Sequence, residues 1–452
     1  MGPIVMNAPL SVVILAAGKG TRMKSGRPKV LHQVAGRPMI GHVLATAAAL
    51  DPERTVVVLA PDMAEVEAEL KGRAPAPTVA IQEPALGTGH ALMAAREQIG
   101  PDGKVLVLYG DTPLVTAETL RRLLAAVDEV GAAVGVLGMN PPDTSGYGRL
   151  AFDHDGLDAI VEERHADEAL KREGMCNAGI MVIDRARLDS LLDALELRQP
   201  KNEYYLTDIV AHARTFGWPC TAIEGPWIEG VGVNAQAQLA EAEALMQGRM
   251  RAAALAGGVT MVAPDTVFLA ADTVLASGVE IAPYVVFGPG VEVAEGARIE
   301  AFSHLEGVRV GPRARIGPYA RLRPGAEIGE GARIGNFVEV KNAKIEAGVK
   351  ASHLSYIGDA RIGAGSNIGA GTITCNYDGY GKYWTDLGER VFVGSNSALV
   401  APLTVGDGAI IAAGSTINRD VPADGLSFGR ARQTDVPGGA ARFRAGKSHA
   451  SD

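Results

Sequence analysis

The sequence predicts an α/β chain of two unlike halves: a doubly wound sheet flanked by helices and, after a long connecting helix, a parallel β-helix. Three observations carry that reading. Over residues 11–235 short aliphatic runs alternate with stretches of helical spacing, the pattern of a parallel sheet covered on both faces. From about residue 264 aliphatic side chains recur every six positions, a period that fits neither helix nor strand alone and marks stacked hexapeptide coils. The chain holds 56 Gly and 25 Pro but only 5% aromatic residues, so it makes many tight turns around a narrow core.

In the first half, SVVIL (11–15), TVVVLA (55–60), KVLVLYG (104–110), GAAVGVLGM (131–139) and GIMVI (179–183) read as buried parallel strands. Helical spacing fills Gly41–Leu50, Ala64–Leu70, Gly89–Ile99 and Ala117–Val130, the last started by Thr116 with Glu118 and Thr119. Ligands of such sheets sit at the carboxyl ends of the strands. Residues 236–256 are Ala-rich and lack Pro, which predicts one linker helix stopped by Gly257-Gly258. The expected domains are therefore 1–235, the linker helix 236–256, and 257–452.

The hexad positions are Ile281, Phe287, Val293, Ile299 and Leu305; then Val310, Ile316, Leu322, Ile328, Ile334 and Val340; then Ile345, Ala351, Ile357, Ile362, Ile368 and Thr374; and last Val393, Leu399, Val405, Ile411 and Ile417. A prism of three flat faces explains them. Each face is a short strand, each corner a turn that needs a small residue, and one knob per hexad fills the core that stacked coils bury. The repeat breaks between Thr374 and Val393, where CNYDGYGKYWTDLGERVF is expected to loop out, packed by Tyr377, Tyr380, Tyr383 and Trp384. The last fifteen residues, GGAARFRAGKSHASD, are expected to form a flexible basic tail.

Composition narrows the function. With 452 residues there is room for roughly two or three domains. A net charge of −9 argues against a protein that coats nucleic acid, whose phosphate contacts need clustered basic charge. Cys176, Cys220 and Cys375 make neither a disulfide framework nor a metal knuckle and suit a reducing compartment. The start lacks the basic and long apolar regions of a signal peptide, and no apolar run approaches the ~20 residues of a membrane span. A cytoplasmic protein is expected, with small molecules rather than nucleic acid or membrane as partners.

Chemistry enters with LAAGKGTRM (15–23), directly after a strand and followed by Pro28-Lys29. Its glycines admit close approach of backbone N–H groups to phosphates, and Lys19, Arg22 and Lys29 supply matching charge. It is neither a Walker A loop nor a strict dinucleotide fingerprint. Alone it reads as easily as an ordinary strand–helix turn. QEPALGTGHAL (82–92) adds a second loop, and LVLYGDTPL (106–114) ends a strand at Asp111, where a carboxylate can hold Mg²⁺ at a sheet edge.

These three motifs together resemble the sugar-nucleotide pyrophosphorylases. RLRPGA (321–326), GNFVEVKNAK (335–344), HLSYIGDA (353–360) and NIGAGTITCNYDG (367–379) resemble the second half of the bifunctional N-acetylglucosamine-1-phosphate uridyltransferase/glucosamine-1-phosphate N-acetyltransferase family. The likeness covers nearly the whole chain. It implies a Rossmann-like nucleotidyltransferase domain and a left-handed parallel β-helix that acetylates glucosamine 1-phosphate with acetyl-CoA. It implies transfer of UMP from UTP to N-acetylglucosamine 1-phosphate with release of pyrophosphate, feeding peptidoglycan and lipopolysaccharide synthesis. A homotrimer is implied as well.

By motif match Leu15, Ala16, Ala17 and Gly18 lie along the nucleotide, Gln82, Gly87 and Thr88 read the uracil, and Lys29 sits by the phosphates. Tyr109, Gly110 and Asp111 line the centre. Gly148, Glu162, Asn177 and Asn234 match sugar-binding and metal positions, with Asp111 and Asn234 as the Mg²⁺ ligands. Without the resemblance Asn177 and Asn234 read first as turn or cap residues. Glu163 is the alternative to its neighbour Glu162.

For acetyl transfer an amine must lose a proton as it attacks a thioester, so a base helps. His353 is the candidate, with Glu339 expected to orient it. Arg323 and Lys341 are implied to grip the sugar phosphate, and Tyr356 and Asn367 the sugar. Asn376 and Tyr377 lie on the excursion loop, where Asn376 is expected to bind or polarise the acetyl carbonyl. Ala370, Ser395, Ala413 and Arg430 match positions along acetyl-CoA. Cys375 reads as a buried, inert thiol rather than an acyl carrier, since direct transfer needs none. A nucleotidyltransferase whose β-helix merely oligomerises the chain is the competing reading; His353, Arg323 and Lys341 speak against it, because a structural coil needs none of them.

Overall fold

The computed structural model describes residues 9–199 and 201–447. Two compact units meet in sequence at Met250 and Arg251. The chain's first eight residues lie outside the described ones, as do 448–452 of the expected tail. The tail residues that are described form a helix, Gly439–Lys447, rather than a flexible segment.

In chain order the first unit comprises β1 (Leu10–Leu15), β2 (Gln33–Val34), β3 (Arg37–Pro38), α1 (Met39–Ala48), β4 (Arg54–Leu59), α2 (Ala64–Lys71), β5 (Thr78–Ile81), α3 (Gly87–Ala94) and β6 (Lys104–Tyr109). It continues through α4 (Ala117–Val130), β7 (Val134–Met139), β8 (Arg149–Asp153), β9 (Gly156–Val161), α5 (Glu168–Glu173), β10 (Cys176–Asp184), α6 (Arg185–Asp193), α7 (Asp208–Thr215), β11 (Cys220–Glu224) and into α8 (Gln236–Ala256). The sheet runs β11-β7-β10-β6-β1-β4-β5. β1, β4, β5 and β6 are parallel, and the aliphatic centres of β1, β4 and β6 are buried between two hydrophobic layers.

GIMVI departs from the expected direction: β10 is antiparallel to both β6 and β7. A doubly buried strand is aliphatic on both faces whichever way it runs, so composition marks its burial and not its direction. The hairpin β8–β9 turns the chain before β10 enters the sheet. Thr116 caps α4 by accepting from the Thr119 N–H, and Gly131 ends it with φ 60°.

The second unit is a parallel β-helix whose core is three columns of knobs. One runs Ile281, Ile299, Ile316, Ile334, Ala351, Ile368, Val393, Ile411 in strict register. A second runs Phe287, Leu305, Leu322, Val340, Ile357 and resumes as Thr374, Leu399, Ile417. The third runs Val293, Val310, Ile328, Ile345, Ile362, Leu387, Val405. Every hexad position named above is buried.

Leu387 shortens the expected break. It is the missing third-face knob, fully buried six residues before Val393, so the excursion returns to the coil by Thr385. Its first two aromatics do not pack within the chain, Tyr380 being 98% exposed and Tyr377 61%, while Tyr383 and Trp384 are partly covered. Hydrogen bonds order the loop instead: Asp378 accepts from the Tyr380 and Gly381 N–H groups, and Tyr383 N–H donates to Asn376 O.

Each Val, Leu, Ile or Phe knob contributes about 1.5–3 kcal/mol by leaving water. We expect Ile334→Ala to destabilise the β-helix by about 2–4 kcal/mol in urea unfolding, with its activities intact at low denaturant. A loss below about 1 kcal/mol would contradict a close-packed column.

Candidate active sites

In the first unit the parallel strands end side by side, and their loops enclose a cavity of about 410 Å³. Leu15, Ala16, Ala17, Gly18, Lys29, Gln82, Gly87, Thr88, Tyr109 and Asp111 line it together with Lys19. Gly20 explains how Lys29 reaches inward. It has φ +62°, and a Cβ there would stand 2.6 Å from the Lys29 Cβ, so only glycine lets the loop lie against that residue.

The Lys29 ammonium pairs with the Asp111 carboxylate and donates to Asn234 Oδ1 at 3.2 Å. Arg22 donates to the same oxygen at 3.0 Å. Asn234 comes from a segment far along the chain, and two contacts hold it there. Val233 N–H donates to Asp111 O at 2.9 Å, and the buried Glu229 carboxylate accepts from the Thr116 N–H and hydroxyl. Asp111 and Asn234 thus aim hard oxygen donors at one cation, which is the donor set a divalent metal takes.

Gln82 is buried and spends its amide N–H groups on Gly87 O and His90 Nδ1. Its Oε1 remains as an acceptor. Thr88 accepts from Leu206 N–H and hydrogen-bonds the Tyr109 hydroxyl. Burial, with Asp111 and Glu162 nearby, keeps that phenol protonated well above its usual range. Glu163, in contrast, is occupied by the Gly146 N–H at 2.8 Å. Gly110 N–H bonds Leu15 O, which ties the two strand ends. Gly148 O accepts from Asn177 N–H, and Asn177 Oδ1 accepts from Gly179 N–H, leaving the Asn177 amide nitrogen as donor. Glu203 and Tyr205 also line the cavity. Sequence reasoning missed them, and the adjacent pair Tyr204-Tyr205 outside any helix was the available signal.

In the second unit one corner collects His353 and the expected acetyl-CoA positions. Successive coils there carry Asn336, His353, Ala370, Ser395 and Ala413, joined by backbone bonds from Leu354 to Asn336, Gly371 to Leu354, Asn396 to Ala370 and Gly414 to Ser395. Arg430 follows against Gly414. His353 Nδ1 lies 2.6 Å from Asn336 Oδ1. This corrects the expectation for Glu339, whose carboxylate pairs with Arg323 at 2.8 Å. Asn336 sits one coil below His353 in register, a relation visible only after the coils are stacked.

The adjoining face carries Arg323, Glu339, Lys341 and Tyr356. Lys382, from the excursion, was missed; it stands by Lys341 and, ahead of Arg323, holds that ammonium below the ordinary lysine range. Three cations with one carboxylate between them suit a phosphate. Asn367 is on another sheet, in register with Lys350, so one chain does not bring it to Lys341. Tyr377 is exposed, its hydroxyl on Gly379 O. Burial raises the Cys375 thiol, keeping it protonated.

Residues 12–170 match the model of the MobA-like NTP transferase domain, and 307–342 match that of the bacterial transferase hexapeptide, six repeats. The chain is 53% identical over 445 residues to the bifunctional protein GlmU of Paramagnetospirillum magneticum, covering 97% of each. It is 55% identical over 440 residues to that of Rhodospirillum rubrum, covering 96% of this chain and 97% of the relative. With both domain types in this order and relatives matched end to end, the chain belongs to the family of bifunctional GlmU proteins.

Proposed function

We propose the following division of labour within the chain. The enzyme acetylates glucosamine 1-phosphate with acetyl-CoA, then transfers UMP from UTP to N-acetylglucosamine 1-phosphate. The first transfer belongs to the β-helix unit and the second to the α/β unit. The observation that carries the reading is the meeting of Lys29, Asp111 and Asn234 at the mouth of the strand-end cavity.

In uridylyl transfer a sugar-phosphate oxygen attacks the α-phosphorus of UTP as the bond to pyrophosphate breaks. Positioning and charge neutralisation do most of the work. Lys19, Arg22 and Lys29 stand where phosphate charge develops. Gln82 Oε1 suits the uracil N3–H, with Gly87 and Thr88 fixing the base. Mg²⁺, held by Asp111 and Asn234, would neutralise further phosphate charge when bound. Glu162, Gly148 and Asn177 face the sugar.

In acetyl transfer the Asn336 oxygen accepts Nδ1–H of His353, which leaves Nε2 free to take a proton. The amine nitrogen bonds the acetyl carbon, Nε2 receives the amine proton, and coenzyme A leaves as thiolate. Arg323, Lys341 and Lys382 hold the phosphate and Tyr356 the sugar. Ala370, Ser395, Ala413 and Arg430 run along the coenzyme.

A homotrimer fits this chemistry. Asn367 and Lys341 lie on different faces, so a sugar that touches both needs two copies. Tyr284, Phe302, Tyr319 and Phe337 stack with centroids 4.8–5.3 Å apart up the corner that leads to His353, about half exposed. A ladder repeated at each coil suits contact with a second copy of the same prism. The cytoplasm is the proposed compartment, in keeping with three free cysteines. Among the described residues no helix is long and apolar enough to cross a membrane.

Asp111→Ala and Asn234→Ala should each lower metal-dependent uridylyl transfer by about 10²-fold or more and spare acetylation; normal metal dependence in Asn234→Ala would remove it from the ligand set. His353→Ala should cut acetyl transfer by ~10²–10⁴ at neutral pH, with partial recovery at high pH where more amine is free. Asn336→Ala should cost less, about tenfold, and wild-type rates in both variants would end the base assignment. Phe302→Asp, a residue type that tolerates the φ of 59° there, should yield lighter species in sedimentation; unchanged assembly would exclude the ladder from the interface.

A further inference from the structure

One buried carboxylate in the β-helix has no part in the scheme above. Asp359 is 6% exposed, and among the described residues no lysine or arginine forms an ion pair with it. Its two oxygens are instead taken by two side-chain amides. Oδ1 accepts from Asn342 Nδ2 at 2.6 Å, and Oδ2 accepts from Asn376 Nδ2. Asn342 and Asp359 occupy successive coils of one corner, both with left-handed backbone, φ 43° and 47°. Asn376 opens the excursion loop that leaves this corner and is itself 8% exposed.

An ionised carboxylate only accepts hydrogen bonds. Both neighbouring amides must therefore turn their NH₂ groups toward it. An asparagine with room to turn presents either end to a substrate; Asn376 has lost that choice. Its Oδ1 and one remaining N–H are what stay available. A buried charge with no cation in contact, only the Lys341 ammonium within electrostatic reach, is costly to keep. A purely structural corner has cheaper solutions, since the equivalent positions in earlier coils are Gly307 and Gly325.

We propose that Asp359 is a positioning residue for acetyl transfer, fixing the direction of the Asn376 amide so that Oδ1 and a single N–H face the reacting groups. The inference rests on the reading that Asn376 meets the acetyl group or the amine. It assigns Asp359 no contact with substrate.

Asp359→Asn is the test. Asparagine accepts the left-handed backbone, and its amide satisfies only one neighbour as acceptor, so an adjacent amide must invert. Asp359→Gly removes the acceptor with no backbone strain. In both full-length variants kcat for acetylation should fall about tenfold or more, with KM for glucosamine 1-phosphate and acetyl-CoA within about twofold. Uridylyl transfer and the thermal transition should stay near wild type. Wild-type kcat in both variants overturns the proposal. A rise in KM at constant kcat, or a joint fall of both activities with a lowered thermal transition, overturns it in favour of a binding or structural role. Asn376→Ala separates this from failure of the parent reading: full acetylation by that variant removes Asn376 from the site, whereas a crippled Asn376→Ala beside fully active Asp359→Asn and Asp359→Gly refutes Asp359 alone.

Discussion

Parallel register is the constraint from which both sites follow. In the first unit β1, β5 and β6 run the same way, with β4 between β1 and β5, so the loops that leave them emerge together and Gly18, Gln82 and Asp111 share one cavity. In the second, backbone bonding of each coil to the next brings residues seventeen or eighteen apart into contact. Asn336 reaches His353 and Asn342 reaches Asp359 for that reason alone. A slip of one residue in any coil would turn its knob outward and carry these pairs to different faces.

The register also divides the β-helix into zones. One corner carries stacked aromatics in its early coils, His353 in the middle and small residues thereafter. Another carries Asn342, Asp359 and the root of the excursion. Between them lies the face with Arg323, Glu339, Lys341 and Tyr356. Chemistry is thus spread around a rigid prism, and nothing in the core must change shape for a substrate to be held.

What was legible in the sequence is what one residue signals by itself. Ile316 or Ile334 marks its burial alone, so the hexad pattern gave every named knob. The loop motifs carried the residues that line the nucleotide-sized cavity. Strand direction was hidden, because GIMVI is equally aliphatic parallel or antiparallel. Leu387 was overlooked because the polar, aromatic stretch around it masks a single knob. Asn336, Lys382 and Asp359 act through partners seventeen residues or more away, or across a loop, and their spacing has meaning only once the coil length is known. Glu339 was misread for the converse reason: its sequence context suggested His353, but the nearer guanidinium of Arg323 claims its carboxylate.

The central claim is that one chain holds two independent sites linked by a released intermediate. Mixing Lys29→Ala protein with His353→Ala protein tests it most directly. Glucosamine 1-phosphate, acetyl-CoA and UTP are supplied together, and the formation of UDP-N-acetylglucosamine is followed. Each variant alone should form little product, and the equimolar mixture should restore it, because the acetylated sugar phosphate leaves one site and enters the other. A mixture no more productive than either variant alone, with the single remaining activity of each intact, would contradict the account.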